Sequence, residues 1–198
     1  MLGVLLGGCE QFAALQAPPK QLTLSALNPA DAEITEKVLL TRFGQFRPYV
    51  VSSISSKREG QRVTFVFERG SPGDDVLGYL VTTRGRFVAS SSDGQVWVTG
   101  KDVVDALVSS GSDGENFLMI AFTDAAATRL KGLSSQRKGQ ILTVMLDDDA
   151  LAMHRVAETL GHRISIPVRK DLRELELVAT IVRSGELPVG VTVMEKTP

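Results

Sequence analysis

The clearest pattern of apolar and polar positions lies between Asp171 and Val193. Leu172, Leu175, Val178, Ala179 and Val182 recur at helical spacing, while Arg173, Glu174, Glu176 and Arg183 fall mostly off that face, which predicts an amphipathic helix. Asp171, with Glu174 three positions on, can cap its first turn, and Gly185 supplies a positive-φ stop. Pro188 keeps the helix from resuming, and Val189, Val191 and Val193 alternate with Gly190, Thr192 and Met194 as in a strand.

Upstream, Leu22, Leu24 and Ala26 alternate as a strand. Asn28-Pro29 then opens a helix in which Ile34, Val38, Leu39 and Phe43 face inward, closed by Gly44. Tyr49 to Ser55 and Val63 to Phe67 read as a hairpin about Lys57-Arg58-Glu59-Gly60, and Asp74 to Leu80 as a short helix. Phe87-Val88-Ala89 and Val96-Trp97-Val98 form a second hairpin around Ser91-Ser92-Asp93-Gly94. The order strand, helix, strand, strand, helix, strand predicts a ferredoxin-like arrangement. Asp102 to Leu107 reads as a connector and Ser109 to Asn116 as a polar, glycine-rich stretch. Beyond it come a strand from Phe117 to Phe122, a helix capped at Thr123-Asp124 carrying Ala126, Ala127, Leu130 and Leu133, and strands at Ile141 to Leu146, Leu151 to His154 and Arg163 to Val168.

Composition narrows the function classes. The chain has 198 residues, 43% of them hydrophobic, and a net charge of -1. That is enough apolar material for a real core, with no bulk field to draw it to nucleic acid or anionic lipid. No stretch approaches the roughly eighteen uninterrupted apolar residues of a membrane-spanning helix. The single cysteine, Cys9, excludes an internal disulfide.

The candidate chemistry is thin. Asp147-Asp148-Asp149 offers hard oxygen ligands, but an EF-hand loop begun there would place Ala152 at its sixth position and lacks alternate donors, so the three read as a turn. His154 and His162 are eight apart without a His-Glu-x-x-His, which leaves no zinc set. The serines at Ser52 to Ser56, Ser90 to Ser92 and Ser134-Ser135 form no nucleophile elbow, and Gly70, Gly73, Gly111 and Gly114 form no phosphate loop. Arg129, Lys131, Arg137 and Lys138 make a small basic cluster, read as the solvated face of a short helix. No catalytic, cofactor-binding or metal-binding residue is assigned.

Three stretches carry a resemblance to one family. Val182-Arg183-Ser184-Gly185-Glu186-Leu187-Pro188-Val189 resembles the leucine-arginine-x-glycine-alanine-leucine-proline signature that closes the first periplasmic domain of SecD, a subunit of the bacterial protein-export machinery; Glu186 stands where the family has alanine. Val98 to Ala106, with Thr99-Gly100-Lys101-Asp102-Val103, resembles the threonine-glycine-x-aspartate-valine start of its head subdomain, and Phe117 to Leu146 resembles the strand, helix and strand within it. The resemblance spans Gln21 to Lys196, by pattern alone before Val96. It implies an α+β fold with a ferredoxin-like base (residues 21–100), an inserted smaller α+β head subdomain (101–168), and a helix and strand (169–198) that return to the base. It also implies a binding protein that engages exported or unfolded polypeptide through the head and a hinge near Gly100 and Val168. The transmembrane motor of SecD has no counterpart in the pattern.

Leu6-Gly7-Gly8-Cys9 resembles the lipobox of bacterial lipoproteins, which makes residues 1–20 a lipoprotein signal and a tether ending in Pro18-Pro19. Lipidation at Cys9 implies a membrane anchor in the cell envelope facing the periplasm, and Glu10 implies sorting to an outer membrane. The other reading of Cys9 is a buried, inert thiol in an ordinary apolar N-terminus. The expectation is therefore a non-catalytic, SecD-like lipoprotein with protein partners, no cofactor and no nucleic acid. Its competitors are a structural or assembly lipoprotein docked on a fixed membrane complex and an enzyme with an unfamiliar site.

Overall fold

The computed structural model describes residues 20–46, 53–69, 72–112 and 114–197. Cys9, the tether and the start of the strand expected from Tyr49 lie outside them. The chain divides into two units. Unit 1 takes the chain up to Thr82 and again from Leu187, and unit 2 is the insertion Thr83–Glu186.

Unit 1 contains β1 (Lys20–Ser25), α1 (Pro29–Gln45), β2 (Ser53–Glu59), β3 (Arg62–Arg69), α2 (Asp74–Thr82) and β11 (Thr192–Thr197). Its antiparallel sheet runs β11-β1-β3-β2. With β11 as the fourth strand this is the ferredoxin-like order, and the insertion falls between the second helix and that strand. Phe87–Ala89, expected as the fourth strand, belongs to a sheet of unit 2 instead. Leu22, Leu24, Val63, Phe65 and Phe67 are buried on one sheet face with Val38, Leu39 and Phe43 of α1. Phe43 stands edge-on to Phe65 and Phe67, with ring centroids 5.4 Å and 5.1 Å apart, the arrangement that the ring quadrupole favours. Asn28 caps α1 by accepting from the Asp31 amide at 2.9 Å. Ile34 is 47% exposed, so Thr35 and Arg42 are turned inward in its place. The fully buried Arg42 donates from Nη1 to the Leu80 carbonyl at 2.6 Å.

Unit 2 holds β4 (Phe87–Ser91), β5 (Val96–Thr99), β6 (Val103–Ser110), β7 (Asn116–Phe122), α3 (Asp124–Gln136), β8 (Ile141–Leu146), β9 (Asp149–Arg155), β10 (Arg163–Pro167) and α4 (Leu172–Ser184). They form a sheet ordered β10-β7-β6 and another ordered β5-β4-β8-β9. The stretch read as a connector is strand β6. Apolar residues on both its faces and a bulge between Val103 and Asp105 hide the alternation that marks a strand.

α4 is the amphipathic helix expected, with the Asp171 side chain accepting from the Glu174 amide at 2.8 Å and Gly185 at φ 93°. Its apolar face packs on β6 and β7, so it belongs to unit 2, whereas the expectation returned it to the base. Only the segment after Glu186 goes back. The insertion is accordingly longer at both ends than the expected 101–168. Arg84 and Glu186, near the two points where the chain enters and leaves it, pair at 2.6 Å.

Candidate functional site

The residues that looked chemically suggestive are used within unit 2 to hold its own loops. Asp147 is the sole described non-glycine residue with positive φ, 56°. Its carboxylate accepts from the amides of Gly85 and Arg86 at 2.9 Å and 2.7 Å, while Asp148 pairs with Arg86 at 2.9 Å. The triple aspartate is a turn, and it anchors the start of the insertion. Among the described residues no group of three or more His, Cys, Asp and Glu could hold a metal. His154 is half-buried on β9, and the exposed His162 lies 3.6 Å from Asp124.

The basic cluster disperses. Arg129 pairs with Asp102 at 2.8 Å and Arg137 with Asp93 at 2.6 Å, leaving Lys131 and Lys138 exposed. Burial works to raise the Asp102 pKa, but the Thr99 amide and the Arg129 guanidinium outweigh it and hold the carboxyl below its usual value. Thr99-Gly100-Lys101-Asp102 is thus a capping box, with the Thr99 amide donating to Asp102 at 2.8 Å. Ser91 accepts from the indole of the buried Trp97 at 3.2 Å and donates to Asp93, and Ser134 accepts from the Leu160 amide at 2.9 Å. Gly100 and Val168 both lie inside unit 2, away from the residues where the chain passes between units.

Unit 2 holds a cleft of about 770 Å³, a volume in the range of ligand-binding pockets. Leu151 and Met153 of β9 line it, as do Pro167 of β10 and the Val168–Lys170 segment. Both strands are outermost in their sheets, so the cleft runs along sheet edges. Asn116 fixes one wall: its carbonyl accepts from the Val168 amide at 3.0 Å and its side-chain amide donates to the Lys170 carbonyl at 3.1 Å. The lining is mixed: Leu151, Met153, Pro167 and Val168 share it with Glu115, Arg169 and Lys170. The sequence reading missed the cleft. Pro167 at the end of a strand pattern was the available signal, because proline in a sheet marks an edge.

Beside the cleft, the β5-β4-β8-β9 sheet turns one face away from its core. Met153 lies opposite Thr143, Thr143 opposite Ser90 and Ser90 opposite Val96, while Met145 lies opposite Val88. Met153 is 74% and Val96 50% exposed. Among the described residues no helix is long and apolar enough to cross a membrane.

The family model described as "SecDF, P1 head subdomain" matches residues 79–189. Protein translocase subunit SecD of Acidaminococcus fermentans is 32% identical over 104 residues, which are 52% of this chain and 25% of that protein. Protein translocase subunit SecDF of Brucella abortus is 30% identical over 101 residues, 50% of this chain and 13% of that protein. The chain thus spans a quarter or less of these curated relatives. A solved structure of SecDF, described as a membrane component that enhances protein export, superposes with a TM-score of 0.71 at 19% identity, covering 88% of this chain and 98% of that one. SecDF in its super-membrane-facing form superposes with a TM-score of 0.75 at 17% identity, over 96% of this chain and 35% of that one. The fold is that of a SecDF periplasmic domain, and with more than half of its residues matched the chain belongs to the SecDF P1 head subdomain family.

Proposed function

We propose that the protein binds exported or unfolded polypeptide without catalysing a reaction on it, and that the cleft between β9 and β10 is where the chain is held. The observation that carries this reading is the cleft itself: two sheet edges and apolar side chains inside the matched region. Extended chains are recognised through main-chain hydrogen bonds and shallow apolar contacts, and that cleft offers both. That the relatives are protein translocase subunits supports a reading in which the binding serves protein export or envelope assembly. Lipidation at Cys9 would hold the domain to a membrane on the periplasmic side.

A photo-crosslinking residue at position 153 in intact cells tests the reading. Many adducts of differing mass, diminished when protein synthesis is stopped, are the expected result. One discrete adduct that persists would instead assign the cleft to a fixed membrane complex. Turnover of a small substrate by the purified protein would replace both. For the anchor, incorporation of labelled palmitate that disappears in Cys9→Ser is expected, and no incorporation in the native chain would remove the lipoprotein assignment.

A further inference from the structure

Unpaired sheet edges recruit stray strands, and natural folds guard them. The outer strands of unit 2 are β5, β9, β6 and β10. On β5, Arg129 Nε donates to the Trp97 carbonyl at 2.8 Å. On β6, the Ala106 amide donates to Asp105 Oδ1 at 2.8 Å and its carbonyl accepts from Arg183 Nη1 at 3.0 Å. Asp105 and Arg183 themselves lie 3.8 Å apart, so one ion pair covers both main-chain groups of Ala106. On β10, the Phe122 amide donates to the His162 carbonyl and the Val168 amide to the Asn116 carbonyl. The alternation of antiparallel pairs therefore points Arg163, Ser165 and Pro167 outward. Pro167 has no N–H to offer, and its end of β10 lines the cleft.

β9 has no such guard. The Val156 amide donates to the Gln140 carbonyl, and the register pairs Ile141 with Arg155, Leu142 with His154 and Thr143 with Met153. By the same alternation His154 bonds to β8, and the N–H and C=O groups of Met153 and Arg155 point away from it. Among the described residues no strand pairs on that side. The Arg155 guanidinium is occupied elsewhere, donating to the Gly139 carbonyl at 2.9 Å.

The geometry points to β9 as the acceptor for strand addition: an extended polypeptide segment pairs with the outward main-chain groups of Met153 and Arg155, with an apolar side chain opposite Met153. This rests on the polypeptide-binding reading and specifies how the guest is held and which segments qualify. The occupant is an extended chain and not the β9 edge of a second copy, because the edge opens into a cleft walled by Pro167 and Lys170. Guest side chains opposite Met153 fall on the face shared with Thr143, Met145 and Val88. The flexible thioethers adapt to varied apolar shapes, which suits a binder of many sequences.

The test uses the full chain and a short labelled peptide of alternating valine and threonine, followed by fluorescence anisotropy. A valine opposite Met153 turns its own N–H toward β9, so N-methylation of the valine amides should weaken binding about tenfold, the loss of one or two ladder bonds. N-methylation of the threonine amides, which face away, should change it by less than about twofold. Met153→Pro removes an outward N–H and leaves the β8 ladder intact. It should weaken binding about tenfold with Trp97 emission unchanged, and Met153→Ala should weaken it less. If the native chain binds the peptide but both methylation patterns act equally, or Met153→Pro binds normally, strand addition is overturned while polypeptide binding stands. If the native chain binds neither this peptide nor a reduced, unfolded protein, both fall. Self-association that Met153→Pro abolishes, without peptide binding, would assign the edge to a second copy and overturn the proposal.

Discussion

In unit 1 the outermost strand next to β1 is β11, which reaches its place only after the chain has completed the whole of unit 2. Lys20 of β1 and Lys196 of β11 both pair with Asp74 at the start of α2, at 3.1 Å and 2.8 Å, but most of what holds the sheet is its buried phenylalanine and leucine face. In unit 2 the hairpins β4-β5, β6-β7 and β8-β9 are joined by the β4-β8 pairing and extended by β10 on β7, and the edges and turns are finished by single charged side chains: Arg129 on β5, Arg183 on β6 and Arg137 on the turn after β4. One unit depends on a strand supplied from beyond the whole insertion, the other on many separate pairs of modest individual strength. The consequences differ in kind. Unit 1 should fail as a whole when one distant strand is lost, and unit 2 should respond in small steps to changes of single residues and of pH.

The largest expected effect comes from ending the chain after Gly190. Without β11 the main-chain groups of β1 lose their partner on one side and the buried face around Leu22 and Leu24 is opened. Unit 1 should then lose amide protection throughout β1 and β3, as a sheet reduced to a weaker remnant. Trp97 is the single tryptophan and is buried in unit 2, so its emission should be unchanged and reports on that unit alone. A simultaneous loss of Trp97 burial would show that the two units do not fail separately. A middle-sized effect is expected from Gly185→Ala. Gly185 ends α4 at φ 93° and ψ 179°, a region essentially confined to glycine, so the substitution should cost about 1–3 kcal/mol. Urea titration read through Trp97 should show that loss in unit 2.

The same contrast explains which parts of the fold were legible in the sequence. The limits of α4 are written locally, in Asp171 and Gly185, and could be read without knowing what the helix packs against. Its partner could not: the apolar stripe specifies that a face is buried, not that β6 and β7 cover it. β4 alternates buried and half-buried residues, while β11 begins at Thr192, past most of the alternating valines, and is exposed from Thr192 to Lys196, so the local pattern favoured the wrong strand for the ferredoxin-like sheet. The inward turn of Arg42, Ser91 and Ser134 was invisible because burial of a polar residue depends on partners brought in by tertiary structure, such as the Leu80 carbonyl for Arg42. The family signature at Thr99 to Asp102 could have been read as a capping box from its spacing alone. The edge cleft had only Pro167 to announce it.

The smallest effect tests whether charge finishes unit 2. The Ser91 hydroxyl, then the Arg137 guanidinium and then the Gln95 amide hold the Asp93 carboxyl well below the ordinary carboxylate range. A carboxyl depressed on folding contributes its stabilisation fully above its unfolded pKa, about 3.9, and loses it as pH falls through the lower folded value. Asp93→Asn keeps the shape of the turn and removes the charge. Since the Asp93 side chain is 54% exposed and its pairing is screened, the Tm of the Trp97 transition should fall at neutral pH by only about 1–4 °C. That difference should persist to about pH 4 and narrow progressively below it, as the Asp93 carboxyl takes up its proton in the unfolded chain before it does so in the folded one. A difference that stays constant down to about pH 2 would mean that the Ser91, Asp93 and Trp97 chain stabilises the turn through geometry alone, and the contrast between the two units would lose its electrostatic half.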